Sequence, residues 1–147
     1  MSTADSFEAT HFVRDTCLCL RAQGAARSLA RRFDKALRPL GLTSGQFSLL
    51  NAVNWEEPPT MADVAALLGA DRTTLTAALK PLARRGLVEV GVDPADRRSR
   101  RLALTGEGHA LLACAIPVWR SCHGELEETL GDAVAARLRG DLEALAS

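Results

Sequence analysis

The chain carries no net charge, no long apolar run and no metal-ligand pair at a recognisable spacing, and each absence narrows what it does. Eighteen basic and eighteen acidic side chains cancel, which excludes a bulk attraction to nucleic acid or to an acidic membrane but leaves a local one open. No stretch approaches the ~20 apolar residues that span a bilayer, and the opening MSTADSFEATHF lacks the apolar core of a signal peptide. The expectation is a cytoplasmic protein with no membrane partner. Cysteine and histidine never occur as Cys-x₂-Cys or His-x₃-His. Cys114 and Cys122, two turns apart on a helix, would stand about 12 Å from each other, so no metal site is expected. A Gly-rich phosphate loop is missing, as is a Ser/His/Asp set in a recognisable context. Neither catalysis nor a cofactor is therefore expected.

What is present is an uneven spread of charge. Segments 1–42, 43–71, 72–101 and 102–147 carry net charges of +3, −4, +5 and −4. The largest positive excess falls on DRTTLTAALKPLARRGLVEVGVDPADRRSRRLAL, residues 71–104. Within it Leu75, Ala78, Leu79 and Leu82 recur at helical spacing and predict a buried stripe. The opposite stripe carries Arg72, Thr73, Thr76, Ala77 and Lys80, a mixture of hydroxyls, a methyl and cations that suits the floor of a DNA major groove. Asp71 is a good N-cap, and Ala70 and Leu75 stand where a weak hydrophobic staple forms. Pro81 should disturb the bond to the Ala77 carbonyl and bend this helix.

After Gly86, LVEVGV and RLAL predict two strands. The turn DPADRRSR between them holds Arg97, Arg98 and Arg100, with Arg101 following. Arginine suits a narrow minor groove, where the negative potential is greatest. A helix followed by a cationic hairpin reads as a device for two grooves.

The flanks predict helices. The first ten or so residues read as a loose arm in which Phe7 and Phe12 seek a partner surface. From Asp15 to Leu40 a single helix is expected, with Cys19, Ala22, Ala26, Leu29, Phe33, Ala36 and Leu40 as a narrow seam. Pro39 and Gly41 end it. Its length, about 36 Å, exceeds what a domain of this size needs internally, so part should meet a second subunit. Thr43 opens the next helix through a capping box with Gln46 and a Leu42–Phe47 staple, burying Phe47, Leu50 and Val53. Thr60 caps a short helix with Val64, Leu67 and Leu68 inward, stopped by Gly69. Thr105 caps a long helix bearing Leu111, Leu112, Ala115, Val118 and Trp119, kinked at Pro117. A last helix from Asp132 to Leu145 presents Val134, Leu138, Leu142 and Leu145.

GLTSGQFSLLNAV, MADVAALLGADRTTLTAALKPLARRGLV, the wing DPADRRSRRLALTGEG and the tail AIPVWRSC…LEETLG together resemble the MarR family of bacterial transcription regulators. The resemblance covers nearly the whole chain. It implies a mainly α fold with a small β-hairpin wing (α+β): a winged helix-turn-helix over residues 43–104, with dimerisation helices in 1–42 and 105–147. It also implies a homodimer that binds a palindromic operator in double-stranded DNA, acts as a repressor, and is released by a small phenolic or lipophilic effector. The recognition-helix start matches Arg72, Thr73, Thr74, Thr76 and Ala77, and the Asp and Arg that shape the family's wing match Asp96 and Arg98. Phe12, Phe47 and Trp55 are the expected walls of an effector pocket between the first, second and fifth helices.

Cys17 and Cys19 lie close to where hydroperoxide-sensing members of the family hold a reactive cysteine. The tyrosines that secure that thiolate have no counterpart, because the chain contains none. On one helix the two thiols would point about 200° apart and could not bond to each other. The alternative reading is a thiol-based redox protein, or a redox-sensing regulator, that uses Cys17 or Cys19.

Overall fold

The computed structural model describes residues 2–147 as seven helices and one hairpin. In order these are α1 (Thr3–Thr16), α2 (Leu18–Leu37), a 3₁₀ turn (Arg38–Leu40), α3 (Ser44–Val53), α4 (Met61–Leu68), α5 (Arg72–Arg84), β1 (Val88–Val92), β2 (Arg100–Leu104), α6 (Gly106–Leu130) and α7 (Asp132–Ala146).

The N-terminal segment departs from expectation in two ways. It is no loose arm: Ser2 Oγ accepts from the Asp5 N–H at 3.2 Å while Asp5 Oδ2 accepts from the Ser2 N–H at 2.9 Å, a capping box that starts α1. Nor does one helix run from Asp15 to Leu40. Cys17 is extended (φ −68°, ψ 111°) and its Sγ accepts from the Leu20 N–H at 3.4 Å, so a thiol takes the place of the usual hydroxyl or carboxylate cap. α2 then ends at Leu37, and Gly41 turns the chain with φ 67°. The expected seam is buried only toward its C-terminal end, where Phe33, Ala36 and Leu40 are half-buried and Leu37 is fully so.

Capping boxes start the next two helices: Thr43 with Gln46 for α3, and Thr60 with Asp63 for α4. Leu42 and Phe47, the expected staple pair, are both buried. Gly69, at φ 63°, closes α4 in the left-handed conformation that glycine adopts without steric cost. The two leucines before it do not point inward as expected. Leu67 is 60% and Leu68 38% exposed, because the short α4 buries only the face of Met61 and Val64.

β1 and β2 pair antiparallel from Val88↔Leu104 to Val92↔Arg100. β2 is held on its other side by the Thr60↔Arg101 bridge and by the Leu102 N–H donating to the Pro59 carbonyl at 2.9 Å. The sheet is thus stitched to the loop that precedes α4. Thr105 caps α6, accepting from the Gly108 N–H at 3.0 Å and donating to the Gly86 carbonyl. Gly108 is buried at a backbone contact: a Cβ there would lie 2.1 Å from the Leu87 carbonyl oxygen. Pro81 and Pro117 sit inside α5 and α6, and both helices continue past them.

One apolar core joins α2, α3, α4, α5, the hairpin and α6, with Leu37, Leu50, Val64, Leu82 and Leu102 fully enclosed. α1 and α7 contribute little to it. Val134, Leu138, Leu142 and Leu145 of α7 are 53%, 43%, 48% and 61% exposed, and Phe7, Phe12 and Leu18 are more exposed still. Among the described residues no helix is long and apolar enough to cross a membrane.

Candidate nucleic-acid interface

α4, the turn at Gly69–Ala70 and α5 form a helix-turn-helix, with the hairpin as a wing beside it. Asp71 caps α5: its Oδ1 accepts from the Thr74 N–H at 2.7 Å and its Oδ2 from the Thr74 hydroxyl at 3.0 Å. These two bonds, the backbone one first, hold the Asp71 carboxyl below the ordinary carboxylate range. Leu75, Leu79 and Leu82 are buried as the spacing predicts, whereas Ala78 is exposed, lying about 60° round the helix from Leu75 at the edge of the stripe.

The opposite face is open. Arg72, Thr73, Thr74, Thr76, Ala77 and Lys80 are all exposed, but they are not equally free. Thr74 is committed to the cap, and the Thr76 hydroxyl donates back to the Arg72 carbonyl at 2.8 Å. Thr76 therefore offers a methyl and acceptor lone pairs. Among the described residues Thr73 and Lys80 make no side-chain hydrogen bond, so both keep their full donor capacity.

The wing divides its four arginines by role. Arg97 and Arg98 are exposed at the tip. Asp96 shapes that tip, its Oδ1 accepting from the Arg98 N–H at 3.0 Å and its carbonyl from the Ser99 N–H at 2.9 Å. The matched aspartate thus meets the matched arginine through the backbone. Arg100 is half-buried, donating to the carbonyls of Arg97 at 3.1 Å and Ser99 at 3.3 Å. Arg101 is structural, donating to the Pro58 carbonyl and pairing with Asp93. Between wing and reader lies a cleft of about 300 Å³ lined by Arg72, Asp96, Arg98, Ser99 and Arg100 over the apolar start of α4.

A second cavity, about 470 Å³, opens between α3, α4 and α6. Phe47 and Trp119 form its aromatic wall with ring centroids 6.4 Å apart, Leu67 and Leu68 line it from α4, and Asn51 and Arg120 supply polar groups. Of the three expected pocket residues only Phe47 belongs here. Phe12 on α1 and Trp55 in the α3–α4 loop are 68% and 48% exposed and stand outside the lining. Sequence reading placed Trp119 on an apolar helix face without its role. The outward turn of Leu67 and Leu68, which makes the other wall, leaves no periodicity signal. Behind Trp119 the rings continue, with His123 stacked on it at 4.6 Å and Phe33 on His123 at 6.4 Å.

All four cysteines are free. Cys17 serves as the helix cap, and the exposed Cys19 Sγ accepts from Gln23 Nε2 at 3.2 Å.

A family model described as the MarR family matches residues 40–99. Transcriptional regulator HosA of Escherichia coli O111:H- is 38% identical over 71% of this chain and 71% of its own length. The Mycobacterium tuberculosis transcriptional regulator MosR in complex with DNA is 40% identical, over 89% of this chain and 94% of that one, with a TM-score of 0.81. The repressor CouR bound to a 23-mer duplex is 30% identical over 92% and 96%, also with a TM-score of 0.81. CouR from Rhodococcus jostii RHA1 has also been solved with p-coumaroyl-CoA. HosA and MosR are transcriptional regulators and CouR is a transcriptional repressor.

Proposed function

The chain belongs to the MarR family, and from that premise we propose that it is a homodimeric transcription regulator that binds a palindromic operator and is released by a small molecule. One observation carries the reading: an unobstructed row of Arg72, Thr73, Thr76, Ala77 and Lys80 on α5 stands beside exposed Arg97 and Arg98 on the wing. In a dimer, two such readers enter successive major grooves about 34–36 Å apart, with the wings in the flanking minor grooves. Repression is the direction supported by the similarity to the repressor CouR. Catalysis forms no part of the reading, and the cytoplasm is the compartment it requires.

The division of labour follows from exposure. Residues 43–104 read DNA, while 1–42 and 105–147 pair the subunits, because α1, the start of α2, and α7 carry the apolar side chains that one protomer leaves uncovered. The cavity walled by Phe47, Leu68 and Trp119 is the effector seat. Its aromatic wall and the Arg120 guanidinium suit a flat aromatic ligand with an acidic group, and one wall is the helix that enters the reader turn. A ligand there shifts the population between DNA-competent and released spacings of the two readers. The CouR complex with p-coumaroyl-CoA supports an aromatic effector.

Selection of bound sequences from a random duplex pool tests the reading. The expected result is a palindrome with half-sites one helical turn apart, bound with a log–log salt slope of about −5 to −9 for six to ten phosphate contacts. A flat salt response, or no recovered consensus, overturns it.

A further inference from the structure

The hairpin is closed on one side only. β2 is stitched to the Pro59–Thr60 segment, whereas among the described residues β1 pairs with β2 alone. The Leu102 N–H points at the Pro59 carbonyl and so away from β1, which makes Val90↔Leu102 a pair without mutual hydrogen bonds. The N–H and C=O of Val90, and by alternation those of Val92, therefore face outward from the sheet. Among the described residues no backbone group reaches them from that side. An edge of this kind is a template for a further strand. The side chains beside it are sorted by the pleat. Val90 and Val92 share one face and both are exposed, while Glu89 and Gly91 share the other with Ala103. A groove of about 840 Å³ lies against β1, lined among others by Glu57, Pro58, Glu89, Val90, Val92 and Ala103. Neither Glu57 nor Glu89 belongs to an ion pair among the described residues.

We infer that the open edge of β1 docks an extended segment of another protein whose residues alternate apolar and basic. The segment's backbone adds a third strand through the outward N–H and C=O groups of Val90 and Val92, which supplies affinity without regard to sequence. Its apolar side chains fall on the face of the two valines. Its cations fall on the opposite face, toward the carboxylates of Glu89 and Glu57, and this charge complementarity chooses the occupant. A duplex is a poor fit, because the same carboxylates repel phosphate. A second copy of the chain is a poor fit as well, since edge-to-edge pairing brings two copies of Glu89 to one face of the joined sheet. The surface lies on the stem of the wing, apart from the tip and from α5, so the inference does not rest on the DNA reading.

The test titrates the full-length protein into a fluorescent synthetic peptide of alternating valine and lysine, about six residues long as strands commonly are, and follows anisotropy. Saturable binding is expected, with slowed amide exchange at Val90 and Val92. A valine–glutamate peptide should bind on the order of tenfold more weakly, and Glu89→Lys should reverse that preference. Val92→Pro removes an outward N–H but no ladder bond, so it should abolish peptide binding while circular dichroism and the thermal midpoint stay close to the wild type. A wild type that leaves the valine–lysine peptide free, or binding that both variants retain unchanged, overturns the docking edge and leaves the DNA reading untouched. Self-association beyond the dimer in light scattering, abolished by Val92→Pro, overturns the choice of occupant in favour of a second copy.

Discussion

Arg101 Nε lies 3.2 Å from Asp93 Oδ1, and the Asp93 side chain is only 7% exposed. The same guanidinium donates to the Pro58 carbonyl, so one side chain ties both the wing loop and the stem of β2 to the segment before α4. The wing is therefore a braced arm whose angle to the reader is set by this pair.

That brace should fail in acid. The Ala95 N–H first, and the Arg101 guanidinium second, hold the Asp93 carboxyl below its ordinary value of 3.8. A lowered carboxylate stabilises the fold above its unfolded pKa and stops doing so as pH falls through the folded one. The thermal midpoint of Asp93→Asn should lie below that of the wild type at pH 7, and the gap should close as pH drops below about 4. A gap independent of pH would remove the ionised pair from the account.

The two free-facing threonines should behave differently. Thr73→Ala is expected to relax preference at one base position by ~1–3 kcal/mol, measured as affinities across single-substitution operators. Because the Thr76 hydroxyl is turned back to the Arg72 carbonyl, Thr76→Val should keep the preference at its position and Thr76→Ala should lose it. The reverse order would mean that the hydroxyl leaves the helix on binding.

Pairing of subunits is assigned to the exposed leucines of α7. Leu138→Asp or Leu142→Asp should yield a helical monomer by light scattering and circular dichroism. Loss of bivalent binding should then lower operator affinity about 10²-fold or more. A stable dimer in both variants would move the interface elsewhere.

The backbone contact of α6 predicts a sharp contrast between two glycines. Gly108→Ala places a methyl against the Leu87 carbonyl, a group that cannot rotate away, and should cost about 1–3 kcal/mol in urea denaturation. Gly106→Ala, whose added methyl meets nothing within 4 Å, should be neutral or slightly stabilising.

Local chemistry was the readable layer of this sequence. The caps at Thr43, Asp71 and Thr105, the hairpin around DPADRRSR and the outward row on α5 all follow from residues a few positions apart. What escaped reading needed a partner distant in the chain or an unusual atom in a usual place. Cys17 capping α2 replaces an oxygen with a sulfur, and α1 has neither an apolar period nor a buried residue to announce it. Leu67 and Leu68 look like core in sequence because apolarity is the same whether a leucine fills an interior or walls a cavity. Arg100 and Arg101 are indistinguishable from Arg97 and Arg98 until the fold brings carbonyls and Asp93 to them.

The chain contains two tryptophans. Trp55 is 48% exposed, while Trp119 is half-buried and stacked between Phe47 and His123, at the meeting point of α3 and α6. The protein therefore carries its own optical gauge. A water-borne quencher should dim the first indole more than the second, so the less quenched light reports on the aromatic column between α3 and α6.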